Sequence, residues 1–475
     1  MTSHTSVKTH PLMIFKFTRR YVFVLLIPLV RGLLNYGVTG ALSRLMIMEA
    51  LLAFLILAVS VVRWLYFSVI FCEDCIVIDS GVVIRRHAVM PLDKVSVSYT
   101  ERNPLLSFFG AVAARIDTDS GFRQKADFEI YFSKKAASMY EQLLQSDKKG
   151  EVRYHSRFGM AVIMALANAS ALTGLIILAP AVNRVGKVLG DRLNNGLRDT
   201  ISFATALIGK IVPPAATIIA IVFVAGFVVS FLLTLIRYMP YRMRDCGDRL
   251  VIEHGLIARH RTAINRQSIN AVIVNIPPVM RPLHYCWVGV SAAGYGKKRG
   301  ESEVVLPAVN MREANGLDFG GLDMPTDDKY DLKCPLRTMR RAVFMPAVVL
   351  AVMVLSELTL MLVFSAFSGM IALVMSFAEL TMLYFMSVRI NYQRCGGVSL
   401  YDGVVMRSYK RLTIKKMRVK KDKTCMLVIS QGPLERRFDV VRAAVTVRAE
   451  RPMTLKAVNL DKKQTDDLIN CYFGA

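Results

Sequence analysis

Catalytic vocabulary is missing from this 475-residue chain. There is no GxSxG elbow for a nucleophilic serine, no HExxH zinc helix and no complete phosphate loop, because Gly296-Lys297 lacks its upstream glycine. The 7 histidines are scattered, and the 8 cysteines follow no framework spacing. Cys72-Glu73-Asp74-Cys75 is the one CxxC, and no second CxxC completes a tetrahedral zinc site. These absences argue against an enzyme and leave no metal and no cofactor to expect. The thiol scatter suits a reducing compartment. Cys72 and Cys75 read either as a redox pair or as two thiols at a strand entry. Acidic residues are also scarce, 36 against 61 Lys+Arg. That cation excess is only thinly interleaved with aromatics, which disfavours a single-stranded nucleic acid partner.

What the chain does hold is apolar mass. Hydrophobic residues make up 53% of it, and the mean hydropathy is +0.39. A soluble protein of that composition would lack polar surface, so the apolar residues belong in lipid and the charge outside it. Six runs approach the roughly 20 residues that a spanning helix needs. They are Tyr21–Tyr36, Leu45–Phe67, Phe158–Val182, Ile211–Ile236, Ala342–Phe367 and Gly369–Val388. The first is short and holds Arg31, which can snorkel to a headgroup. Lys8, Lys16, Arg19 and Arg20 ahead of it look like a signal peptide, but its pairing with a second run argues against cleavage.

The runs pair into three hairpins, each followed by a β-patterned block with the same opening. The openings are Val77-Ile78-Asp79-Ser80-Gly81-Val82-Val83-Ile84-Arg85, Val251-Ile252-Glu253-His254-Gly255-Leu256-Ile257-Ala258-Arg259 and Ser399-Leu400-Tyr401-Asp402-Gly403-Val404-Val405-Met406-Arg407. A repeat of this kind fixes the architectural unit before any residue has a role. The expected organisation is an N-terminal segment and hairpin over 1–71, a β block over 72–150 and a second hairpin with an outer loop over 151–237. A second β block follows over 238–333, a third hairpin over 334–388 and a basic third block over 389–475. The Asn183–Lys210 loop places Val185, Leu189, Leu193, Leu197 and Ile201 at intervals of four, which suits either an amphipathic surface helix or an exposed loop helix. Cations such as Arg19, Arg20, Arg153, Arg157, Arg242, Arg244, Arg340, Arg341 and Arg389 flank the block side, so positive-inside bias puts the N-terminus and all three blocks in the cytoplasm.

Each block reads as short strands separated by turns. In the first, Ser133 is a good N-cap for a closing helix with Ala136, Tyr140, Leu143 and Leu144 on one face. Strands followed by one amphipathic helix suggest a small barrel or sandwich plugged by that helix. These residues resemble the bacterial pleckstrin-homology-like (PH-like) membrane proteins of the YdbT type. The likeness lies in Gly81, Arg85, Arg86, Pro91, Leu92 and Val95, and in Asn103-Pro104-Leu105-Leu106-Ser107-Phe108-Phe109-Gly110-Ala111. One offset of 174 residues separates Gly81 from Gly255 and Pro104 from Pro278. The third block keeps Gly403 and Arg407 but has no Asn-Pro-Leu-Leu counterpart. The resemblance implies a polytopic α-helical membrane protein of about six spans bearing three PH-like domains. It also implies a hetero-complex with a smaller, one-cassette membrane protein of the same type, and a role in envelope protection.

Two candidate sites stand out. The first is a basic strand, with Lys410, Arg411, Lys415, Lys416, Arg418, Lys420, Lys421 and Lys423. Strand periodicity turns Met417 and Val419 inward and Lys416, Arg418 and Lys420 outward. This is either a site for anionic lipid headgroups or an acidic partner, or a solvated basic face. The second is a pair of intramembrane carboxylates, Glu357 and Glu379, set at equal distances from a turn near Ser368. Charges at bilayer depth are costly and usually face a bundle interior. The pair is either a proton- or cation-linked site, or a dock for a basic partner, or a protonated clasp between helices. The expected function is therefore a non-enzymatic membrane scaffold, and the alternative is a transporter or exporter component using the glutamate pair.

Overall fold

The computed structural model describes residues 5–19, 42–118, 127–144, 151–169, 214–292, 303–314, 332–333, 336–365, 368–399, 404–410, 412–447 and 453–466, with residues 21, 317, 319, 321 and 322. The expected span Tyr21–Tyr36 beyond its first residue, the Asn183–Lys210 helix, the Gly296-Lys297 pair, Gly403 and Arg411 lie outside the described residues.

Among the described residues, the strands recur as three sets of seven. The first set is β1 (Thr5–Lys8), β2 (Ser68–Phe71), β3 (Cys75–Ser80), β4 (Arg86–Pro91), β5 (Val95–Arg102), β6 (Ala111–Thr118) and β7 (Phe128–Ser133). The second is β8 (Glu151–His155), β9 (Tyr241–Asp245), β10 (Arg249–His254), β11 (Arg259–Asn265), β12 (Ile269–Ile276), β13 (Tyr285–Ala292) and β14 (Glu303–Asn310). The third is β15 (Leu332–Lys333), β16 (Gly397–Ser399), β17 (Val404–Lys410), β18 (Thr413–Val419), β19 (Thr424–Ser430), β20 (Val440–Val447) and β21 (Met453–Asp461). Each set places one strand ahead of its apolar segment and six after it. In each, a one-turn 3-10 helix (Leu92–Lys94, Arg266–Ser268, Lys421–Lys423) separates the fourth strand from the fifth.

Sheet order shows how the sets are used. One sheet runs β1-β2-β3-β4; a seven-stranded sheet runs β7-β6-β5-β11-β10-β9-β8; a second runs β14-β13-β12-β18-β17-β16-β15; and β19-β20-β21 stand as a three-stranded sheet. The first four strands of a set and its last three therefore lie in different sheets. Consecutive sets are joined where the fifth strand of one pairs antiparallel with the fourth strand of the next. The two joints share a register. Val97 faces Ile264 through to Arg102 facing Arg259, and Ala271 faces Val419 through to Ile276 facing Ile414. In both, the third residue after one 3-10 turn meets the second before the next.

The described chain divides into two compact units. The first comprises Met1–Arg153, Arg242–Ser268 and Ala293–Lys297; the second comprises Tyr154–Tyr241, Ile269–Ala292 and Lys298–Ala475. The first unit's core gathers Val69, Phe71, Ile76, Ile78 and Met90 from β2–β4 against Val112, Ala114, Ile116, Ile130 and Phe132 from β6 and β7. The helices α1 (Met13–Arg19), α2 (Leu42–Leu65), α3 (Pro104–Phe108) and α4 (Lys134–Leu144) belong to this unit. As the sequence predicts, Ser133 accepts the Ala136 N–H at 3.3 Å, and Ala136, Ala137, Tyr140 and Leu144 of α4 are buried. The second unit holds α5 (Phe158–Asn168), α6 (Pro214–Tyr238), the four-residue α7 (Met311–Ala314), α8 (Leu336–Val363), α9 (Ser368–Arg394) and α10 (Pro433–Arg436). Its main core packs Val404, Met406, Met417 and Val419 against Val441, Val445, Val447 and Leu455, with Ala271 and Ile273 arriving from β12. Each such buried aliphatic side chain contributes roughly 1.5–3 kcal/mol.

The expectation of a polytopic α-helical protein with six spans in three hairpins is overturned. Among the described residues, 21 strands form four sheets, and one segment, Val343–Val363 of α8, is both long and apolar enough to cross a membrane. Among the described residues, the other apolar stretches are Leu51–Leu65, Phe158–Asn168 and Val222–Tyr238, each shorter than the roughly 20 residues that span hydrocarbon. α9 carries the Gly369–Val388 run and is not among the segments that pass. The PH-like β content of the expectation does fit, with the first block closed by α4.

Candidate functional site

β18 is where the basic strand lies, and its place in the sheet changes its meaning. Met417 and Val419 are buried in the core as predicted, but Lys416 is 7% exposed. β18 is a central strand, with β12 along one edge and β17 along the other, and the side chains of those neighbours flank Lys416. Lys416 stands opposite Val274 on β12 and opposite Arg407 on β17, and Arg418 stands opposite Val272 and Val405. Like charges directly across a ladder repel. Lys415, Arg418, Lys420 and Lys423 are half-buried. Lys410 and Lys421 sit in β17 and in the Lys421–Lys423 turn. The Lys416 charge also bears on Cys286. Burial pushes that thiol up to about 12 while Lys416 pulls it down, so it stays a thiol at neutral pH.

The glutamate pair is brought together. Glu357 on α8 and Glu379 on α9 lie near enough for their carboxyls to act on one another. Two carboxylates side by side repel, and a proton held by one of them relieves the repulsion. This arrangement can hold or pass a proton, or clasp two helices.

Cys72 and Cys75 close the β2–β3 turn, the Cys72 N–H donating to the Cys75 carbonyl at 3.0 Å. Neither is in a disulfide, and a hydrogen bond from the Cys72 thiol to Cys75 holds Cys72 above its usual pKa. That is the opposite of thiolate activation. Among the described residues, no group of three or more His, Cys, Asp or Glu could hold a metal ion.

Two charge clusters in the first unit escaped the sequence reading, because their members are far apart in the chain. On α4, Glu141 receives Arg102 at 2.8 Å and Arg261 at 2.7 Å, while Thr100 approaches at 3.4 Å. One carboxylate thus clamps a β5 cation and a β11 cation across the joint. Beside it lies a cavity of about 10 Å³ lined by Ser98, Thr100, Tyr140, Glu141, Arg261 and Ala263. That is barely room for one water. The Tyr140 hydroxyl in its wall shares a 2.7 Å hydrogen bond with Ser98, and burial pushes the phenol upward in pKa. The second cluster fastens the N-terminal segment. Lys16 on α1 pairs with Glu129 at 3.3 Å, and Arg115 pairs with Glu129 at 3.2 Å and with Glu101 at 3.7 Å. Burial opposes ionisation of Glu129, yet the two cations together hold its carboxyl below the ordinary range.

Residues 22–147 and 198–318 match the bacterial PH domain family, together just over half of the chain. The UPF0699 transmembrane protein YdbT of Bacillus subtilis (strain 168) is similar, at 22% identity over 316 residues. That similarity takes in 61% of this chain and 63% of YdbT, so the chain spans less than two thirds of that relative's length. The family matches fall on the first two strand sets, and the third is tied to them by the same seven-strand order. This chain belongs to the bacterial PH domain family.

Proposed function

We propose that the protein is a non-enzymatic membrane scaffold. It holds PH-like blocks at the cytoplasmic face and engages a smaller PH-like membrane protein and anionic lipid, in the service of envelope protection. The observation that carries this reading is how the blocks are used. They are welded edge to edge through β5–β11 and β12–β18, and the cavity at the first weld admits at most a water. Using strand edges as joints is what an assembly module does. The membrane part is supported by Val343–Val363 of α8 and by a relative described as transmembrane. Affinity purification of the full chain from mild detergent tests it. A defined membrane partner is expected, and recovery of the chain without any partner under several conditions contradicts it.

The neighbouring Glu357 and Glu379 carboxyls favour a second reading, a transporter component in which a proton held by the pair is moved. Glu357→Gln and Glu379→Gln then each abolish a transport or resistance phenotype while expression is kept. If both variants behave as wild type, the pair is a helix clasp.

A further inference from the structure

The two joints inside the chain follow one rule, and the rule leaves one unused edge at each end. A fifth strand pairs with the fourth strand of the next set, as β5 with β11 and β12 with β18. Among the described residues, no set follows the third set's fifth strand, β19, and none precedes the first set's fourth strand, β4. Both are terminal in their described sheets, whose orders are β19-β20-β21 and β1-β2-β3-β4.

Burial shows what each edge lacks. In β5 and β12, the third residue after the 3-10 turn is buried, Val97 at 2% and Ala271 at 0% exposure, and Ile273, the fifth after it, is at 0%. Ala271 and Ile273 achieve this inside the core of the next set, beside Met417 and Val419. The equivalent residues of β19 are Met426 and Val428, which are 54% and 38% exposed. Their alternates Leu427 and Ile429 pack on the set's own core. β19 thus covers its own block and presents to solvent the two apolar side chains whose β12 counterparts, Ala271 and Ile273, sit in a neighbour's core. β4 has the matching deficit: Val89 is 55% exposed, while Met90 beside it is buried in the first core. β19 also carries, between Thr424 and Met426, the ladder irregularity that β5 shows between Val95 and Val97 and β12 between Ile269 and Ala271.

We propose that β19 of one molecule pairs antiparallel with β4 of a second copy of this chain, continuing the internal series from molecule to molecule. A second copy is the occupant because this one chain carries both complementary edges. The register follows from the internal joints. Met426 faces Met90, Leu427 faces Val89, Val428 faces Ala88, Ile429 faces His87 and Ser430 faces Arg86. Such a head-to-tail contact is heterologous, so it closes into a ring or runs on as a filament. Long apolar edges that stay unpaired are otherwise an aggregation hazard. This inference rests on strand register alone and stands or falls independently of the scaffold's lipid and hetero-partner.

The test uses two differently tagged full-length copies co-expressed in membranes, one with Val428→Cys and the other with Ala88→Cys. Oxidation is expected to give a covalent species carrying both tags, well above the background that Cys425 and the other native thiols set in wild type. The pair slipped by two residues, Val428→Cys with Arg86→Cys, is expected to give far less. Met426→Lys, a charge on an exposed edge position, is expected to convert the detergent-solubilised assembly to single copies. The proposal is overturned if no doubly tagged species forms, if Val428→Cys joins a different protein instead, or if Met426→Lys leaves self-association intact.

Discussion

Gly81 and Gly255 hold matching turns between the third and fourth strands of their sets, with φ of +106° and +100°. A Cβ on Gly81 would sit 2.0 Å from the Ile84 carbonyl oxygen, and one on Gly255 would sit 2.1 Å from that of Ala258. Neither contact can be relieved by rotating a side chain. Gly81→Ala and Gly255→Ala are each expected to cost about 1–3 kcal/mol, read as a lower thermal midpoint of the purified protein. The turn glycine was legible in the sequence because such a turn demands it locally. Glu129 was not, since Lys16 and Arg115 come from distant segments. Its carboxyl has a lower pKa folded than unfolded, so its stabilisation is complete above the ordinary carboxylate pKa of about 4.3. It is lost as pH falls through the lower folded value. Glu129→Gln is expected to flatten the acid limb of the stability–pH curve and to leave the alkaline limb unchanged. An unaltered acid limb would remove Glu129 from the account.

At the level of elements, periodicity revealed α4 and the inward residues Met417 and Val419, because each signal lies within one segment. It misassigned Lys416, because alternation says which side a residue faces but not whether that side is covered. Lys416 lies between the register partners Val274 and Arg407 on its two neighbouring strands, which alternation within β18 does not reveal. The strands ahead of the apolar segments were also missed. β1, β8 and β15 are short, and β15 is only Leu332–Lys333, so no alternation could develop. The six spans were read from apolar composition alone, whereas among the described residues one segment passes on both length and composition. β11 is the element that this reading makes indispensable to the first unit, paired as it is with both β10 and β5. Thr262→Pro in its middle removes a ladder N–H from a central strand and is expected to cost about 3 kcal/mol or more. Hydrogen exchange on the full chain should then show β5 losing protection together with β10. Loss confined to β10 would mean that β5 does not depend on β11.

For the whole molecule, three repeats were legible but their welding was not. A strand's own sequence carries its face alternation, whereas its neighbour across an edge is chosen by the assembled fold. The Arg102–Glu141–Arg261 clamp marks the weld in the first unit, yet nothing near any of these residues in sequence names the others. The central claim is that consecutive blocks share a sheet through this joint, and cysteine cross-linking at one joint position tests it most directly. Arg102 and Arg259 are register partners across β5 and β11, both exposed, and His254 with His260 are partners within the β10–β11 hairpin. In the full-length protein, Arg102→Cys with Arg259→Cys is expected to oxidise to an internal disulfide as readily as the hairpin control His254→Cys with His260→Cys. A control that cross-links while the 102–259 pair stays reduced would contradict the shared sheet.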